Sequence, residues 1–248
     1  MSMLALISTG WVIFIGLLIL VGLANLILGS QKYAGRVYNK IASATGMSNE
    51  PEAQGLRALG CEDLPVLVRL KARHNLLHGT VDGVETLFVE VGEAGRIEDP
   101  LVPDVFSPLY CFRQRGRALP AFQLFQHDGK GRLALDEPDA VRPKQYTIIE
   151  LRDNPGFADF FYVLALRQED EGALRELFPR SVQDFFMENR CHSWDVHAAG
   201  EWVGVTQTSF FDATPWDTVG TFREELGSAR RVHELFARAT EKDRGETR

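Results

Sequence analysis

The chain has 248 residues, 45% of them hydrophobic and 25% charged, with 27 Lys plus Arg against 34 Asp plus Glu for a formal charge of -7. That length supports a core without disulfide staples, and the acidic balance excludes nucleic acid as a general partner, because phosphate backbones are held by basic surfaces. The three cysteines, Cys61, Cys111 and Cys191, are odd in number, far apart and in no CxxC arrangement, a usage that fits free thiols in a reducing compartment.

Met3 to Leu28 read MLALISTGWVIFIGLLILVGLANLIL, without a single charge. As a helix this stretch is about 39 Å long against a hydrocarbon core of about 30 Å, so residues 1–30 are expected to form a retained transmembrane anchor that meets the bilayer through residues 3–28. A cleaved leader has a basic start and a shorter apolar run, and neither is present. Lys32, Arg36 and Lys40 follow the span and no Lys or Arg precedes it, so the positive-inside rule places the amino terminus outside and the body in the cytoplasm. Trp11 and Tyr33 fall at the two interfaces. Gly10, Gly16 and Gly22 recur every six residues, which is not the spacing of a GxxxG seam.

Residues 31–73 are expected to be a helical juxtamembrane linker. Val37, Ile41 and Ala44 have helical spacing and Gly46 ends the pattern, while a second short helix is expected around Asp63 to Leu70 with Pro65 in its first turn. Next comes HNLLHGTVDGVETLFVEV, residues 74–91, which raises a choice. On a helix His74 and His78 share a face and suit a metal; on a strand they stand about 13 Å apart and do not. Asp82-Gly83 between apolar runs decides for a hairpin with a type I′ turn, pairing Val81 with Val84, Gly79 with Thr86, His78 with Leu87, Leu77 with Phe88 and His74 with Val91. Apolar residues on both faces predict an inner position in a sheet.

Further strands are expected at Leu109 to Arg115, Ala121 to Gln126, Tyr146 to Leu151 and Phe160 to Leu166. Ala173 to Asn189 reads as a helix with Leu174, Leu177, Phe178, Val182, Phe185 and Phe186 on one face and Pro179 as a kink or a late start. Ser193 to Thr206 reads as a second hairpin about Ala199-Gly200, and Trp216 to Ala239 as a closing helix with Val219, Phe222, Leu226, Ala229, Val232 and Phe236 inward. Residues 74–240 thus make one α+β domain, a mostly antiparallel sheet with two or more packing helices, and residues 241–248 a disordered tail.

The run G79-T-V-D-G-V-E-T-L-F-V-E-V, the phrases A118-L-P-A-F-Q-L and N154-P-G-F-A-D-F-F-Y-V, and E176-L-F-P-R-S-V followed by a W-x-V hairpin resemble a broad group of bacterial membrane-anchored proteins. That resemblance spans roughly residues 70 to 236, a domain's length. It implies one N-terminal transmembrane helix and a cytoplasmic α+β domain at the bacterial inner membrane, with no assigned activity and no site residue to carry over.

Three sets of residues are candidates for function. Arg113, Arg115 and Arg117 alternate in CFRQRGR, so on an extended strand they line one face with Cys111 about 6.6 Å apart, suited to anionic headgroups or to guarding an edge strand. Phe210, Phe211 and Trp216 in FFDATPW fit a partner surface or a cap on the core. Cys191, His192, Asp195 and His197 in RCHSWDVH are the densest set of ligating types. Strand alternation directs only Asp195 and His197 together on a solvated face, too few for a structural zinc. GxSxG, GxxxxGK[ST], HExxH and GxGxxG are all absent from the sequence. The expected function is therefore a membrane-anchored, non-enzymatic protein-interaction domain without metal or cofactor, an accessory subunit of a membrane complex. The alternatives are an anionic-lipid or small-anion binder through the arginines, and a thiol- or metal-dependent enzyme.

Overall fold

Asp82 and Gly83 both take positive φ, 47° and 80°, and so close the first hairpin with the two left-handed residues that a type I′ turn requires. In the computed structural model, which describes residues 35–70, 72–92, 106–126, 146–149, 151, 154, 156–166, 171–207 and 219–245, this turn joins strand β2 (Ala72–Val81) to β3 (Val84–Gly92). The register matches the sequence pattern from Val81 opposite Val84 to Leu77 opposite Phe88. Beyond that point it slips. Asn75 adopts φ 52° and bulges the strand, so His74 faces Glu90 and Arg73 faces Val91, one residue from the expected pairing of His74 with Val91.

The remaining strands are β1 (Ser48–Glu50), β4 (Phe106–Arg113), β5 (Leu119–Gln126), β6 (Tyr146–Ile149), β7 (Phe161–Leu166), β8 (Trp194–Gly200) and β9 (Trp202–Gln207). All pair antiparallel in one nine-stranded sheet of order β1-β2-β3-β4-β9-β8-β5-β7-β6. The second hairpin turns at Gly200-Glu201, with Gly200 at φ 57°. The register of β5 against β8 shifts between Leu119 and Phe122, at Pro120, which has no N–H to give a ladder.

Both faces of the sheet are covered, which is why β3 reads as the near-continuous apolar run LFVEV. One face carries Leu77, Phe88, Tyr110, Phe112, Phe122, Val196 and Val205 into the larger core. Over it lie helices α1 (residues 35–45), α4 (Glu171–Leu177), α5 (Arg180–Glu188) and α6 (Val219–Gly245). Pro179 separates α4 from α5, so the single kinked helix resolves into two, and Leu174, Leu177, Phe178, Val182 and Phe186 are buried as their spacing requires. Helix α6 presents Phe222, Leu226, Ala229, Val232 and Phe236 to the same core and runs on to Gly245, past the Ala239 end that its apolar pattern suggests.

The opposite face gathers Leu76, Leu87, Val89, Val91, Leu109, Cys111 and Trp202 under two short helices, α2 (Leu56–Leu59) and α3 (Pro65–Arg69). Close approach there leaves no room at Gly204, where a Cβ would stand 3.0 Å from Leu109 Cδ1 and 3.4 Å from Leu64 Cδ1. Residues 35–70, expected as a linker, belong to the folded body: Tyr38, Ile41 and Ala42 enter one core, Leu56, Leu64 and Leu67 the other, and Ser48–Glu50 supply the edge strand. Among the described residues no helix is long and apolar enough to cross a membrane; the expected anchor at residues 1–30 lies outside them.

Candidate functional site

Strand β4 ends at Arg113, and Gly116 at φ 77° turns the chain back toward β5. The extended stripe expected of Arg113, Arg115 and Arg117 is therefore not formed: only Arg113 is on a strand, and Arg115 and Arg117 belong to the connection. Arg113 faces the second hairpin. Its Nε donates to Glu201 Oε2 at 2.7 Å, its Nη1 to the Glu85 carboxylate at 3.2 Å, and its guanidinium lies 5.9 Å from the Trp202 ring centroid. Arg115 Nη2 donates to the same Glu85 at 3.2 Å. Glu201 also accepts the Gly116 N–H at 2.8 Å, and that backbone bond, followed by Arg113, holds its carboxyl below the usual carboxylate range. Two carboxylates, Glu85 and Glu201, thus neutralise Arg113 and Arg115, two of the three cations that the sequence offered to an anion.

Beside this network is a cavity of about 230 Å³ lined by residues that include Leu59, His78, Glu85, Arg115 and Trp202. His78 Nε2 is 3.0 Å from Glu50 Oε1. The histidine that opened the metal question therefore has a single carboxylate partner among the described residues and stands on a strand beside Leu87, as the hairpin reading requires. The cavity mixes both signs of charge and is smaller than the roughly 300 Å³ at which small-molecule pockets begin.

The Cys191 to His197 set is taken apart by the fold. Cys191 is exposed on the short 3-10 turn Arg190–His192, and His192 stacks on Trp194 with ring centroids 4.6 Å apart. Asp195 and His197 do share a face, opposite Trp194, Val196 and Ala198, but that face is buried rather than solvated, with His197 1% exposed and set edge-on to Phe125. Gln123 lies across from His197 on β5 and Thr206 across from Asp195 on β9, so the four make a polar strip inside the sheet. No group of three or more potential metal ligands occurs among the described residues. Phe210, Phe211 and Trp216 lie outside them.

Two carboxylate-tyrosine pairs escaped the sequence because their partners are far apart along the chain. Tyr38 on α1 donates to Glu90, which Asn75 also holds, and Tyr110 on β4 donates to Glu225 on α6 at 2.8 Å. Phe88 packs against both tyrosine rings and against Phe222. Burial pushes both phenols and the Glu225 carboxyl up, so these groups tie α1 and α6 to the sheet.

No protein-family model and no curated protein matches the chain. A solved structure does: the crystal structure of the mycobacterial trehalose monomycolate transport factor A, TtfA, at 13% identity and a TM-score of 0.51, covering 83% of this chain and 93% of that one. The likeness is one of fold. It runs over nearly the whole of that structure and is carried by backbone arrangement rather than by shared residues.

Proposed function

We propose that the protein is a membrane-anchored cytoplasmic interaction domain of the bacterial inner membrane, acting as an accessory subunit of a membrane complex, with transport as the process. The observation that carries the proposal is how little chain separates the apolar stretch from the folded body. Leu28 ends the stretch and α1, whose Tyr38 and Ile41 are core residues, is under way by residue 35. Seven Cα steps reach at most about 25 Å. A body held so close meets integral-membrane partners at high effective concentration, and modest surfaces then suffice. The fold shared with a transport factor supports the choice of process.

The ion-paired state of Arg113 and Arg115 weighs against a lipid contact through those side chains. The cysteines supply a test of placement, since Cys191 is exposed while Cys61 and Cys111 are buried. A membrane-impermeant maleimide is expected to leave the protein unlabelled in intact spheroplasts and to modify Cys191 after lysis, with Cys191→Ser as the control. Labelling of Cys191 before lysis overturns the proposed orientation.

A further inference from the structure

A cleft of about 450 Å³ opens where the Asp82-Gly83 turn, the end of α1 and the outer side of α6 converge. Its size falls in the range of small-molecule sites, roughly 300 to 1,000 Å³. Apolar wall comes from Val81, Phe112 and Leu226, and the charged groups are Asp82, Arg223 and Arg230. On α6, Arg223, Gly227 and Arg230 stand at i, i+4 and i+7 and so share one stripe, with a bare stretch of backbone between two guanidiniums.

Gly227 has no structural reason to be glycine. It is interior to a helix, where glycine costs about 1 kcal/mol relative to alanine, its φ is not positive, and a Cβ there would meet nothing within 4 Å. What the missing side chain does is keep the cleft open. Arg230 is committed, donating to Asp82 Oδ2 at 2.8 Å and lying 3.3 Å from Glu234. Arg223 is not: its Nη2 donates to the Ala44 carbonyl at 2.7 Å, and among the described residues it has no carboxylate partner, in a chain of net charge -7. Thr45 and Thr86 spend their hydroxyl protons on the Ile41 and Val84 carbonyls, which leaves the guanidinium of Arg223 as the charged donor on offer, with the Thr80 hydroxyl also in the cleft wall.

We propose that this cleft binds a small phosphate ester, its anionic oxygens on Arg223 above Gly227 and its carbon skeleton against Val81, Phe112 and Leu226. Planar guanidinium donors suit phosphate oxygens, and an anion here compensates a cation in the cleft wall that has no carboxylate partner among the described residues. A soluble phosphate ester and a phospholipid headgroup offer the same chemistry.

The test is calorimetric titration of the full chain in neutral detergent, with glycerol 3-phosphate in one arm and short-chain phosphatidylglycerol in the other. Saturable binding in the first arm alone assigns a soluble ester, in the second alone a headgroup, and in both the shared phosphate. In whichever arm binds, Arg223→Gln is expected to weaken affinity about 10- to 100-fold, the scale of one charged hydrogen bond. Gly227→Leu is expected to abolish binding by filling the cleft, while Gly227→Ala retains it and raises the melting temperature. Absence of saturable heat in both arms, or unchanged affinity in the folded Gly227→Leu and Arg223→Gln variants, overturns the proposal.

Discussion

Each of the two hairpin turns, Asp82-Gly83 between β2 and β3 and Gly200-Glu201 between β8 and β9, places a glycine at positive φ beside an acid held by an arginine from elsewhere in the chain. At Glu201 the arginine is Arg113 on the neighbouring strand, the other carboxylate oxygen takes the Gly116 N–H, and Trp202 underlies the pair. That turn is closed by its own sheet. At Asp82 the arginine is Arg230, reaching from α6, and the carboxylate is 78% exposed at the mouth of the cleft. Identical local chemistry therefore serves as a latch within the sheet in one place and as a strut between sheet and helix in the other. What an acid-glycine turn does is set by which element supplies the cation.

The largest expected effect removes what both turns stand on. Phe112 is 1% exposed on β4, between the two hairpins, and Phe112→Ala is expected to cost about 3 to 5 kcal/mol in denaturant unfolding. Amide exchange should then speed up at both hairpins together; protection surviving at one of them would show that the two halves of the sheet unfold separately. Gly83→Val and Gly200→Val each force a branched side chain into left-handed backbone, at about 1 to 2 kcal/mol. Near-equal losses mark the two glycine positions as alike in strain although only the first turn has a second residue, Asp82, at positive φ, and a clear inequality breaks the comparison at its root.

Side-chain changes separate the two. Asp82→Asn removes an exposed pair and is expected to stay within about 0.5 kcal/mol, whereas Glu201→Gln disturbs two hydrogen bonds and should lower the melting temperature further. The reverse ranking would make Asp82 the latch. The smallest effect concerns pH. Burial, and after it the Arg230 charge, lower the pKa of His233, whose ring packs tilted against Phe112. A base whose folded pKa is depressed contributes stability that is complete above its unfolded value of about 6.5 and is lost as pH falls toward the folded value. His233→Leu should flatten that acid limb, and an unchanged limb would assign it to other groups.

Much of this architecture is written locally. Asp82-Gly83 announces the first hairpin, Ala199-Gly200 the second to within one residue of its Gly200-Glu201 turn, and the spacing of Phe222, Leu226, Ala229, Val232 and Phe236 announces α6, because these signals act within a few residues. The bulge at Asn75 had only a weak signal, since asparagine takes left-handed backbone more readily than most residues but a single one within a strand pattern does not require it. The arginine stripe failed for a related reason: alternation implies one face only while the strand lasts, and Gly116 ends it at Arg113. Edge strand β1 is too short for a periodic pattern. Pairings such as Tyr110 with Glu225, and the meeting of Asp82 with Arg230, join elements more than a hundred residues apart and had no sequence signal at all.

The proposed role stands most directly on purification of the full chain from bacterial membranes in mild detergent after brief crosslinking, beside a chain lacking residues 3–28. One integral-membrane partner in fixed stoichiometry with the full chain, and its loss or sharp reduction with the shortened one, is the expected result, because the tether sets the effective concentration. A full chain that remains in the soluble fraction, or that elutes from the membrane alone under the same crosslinking, would contradict it.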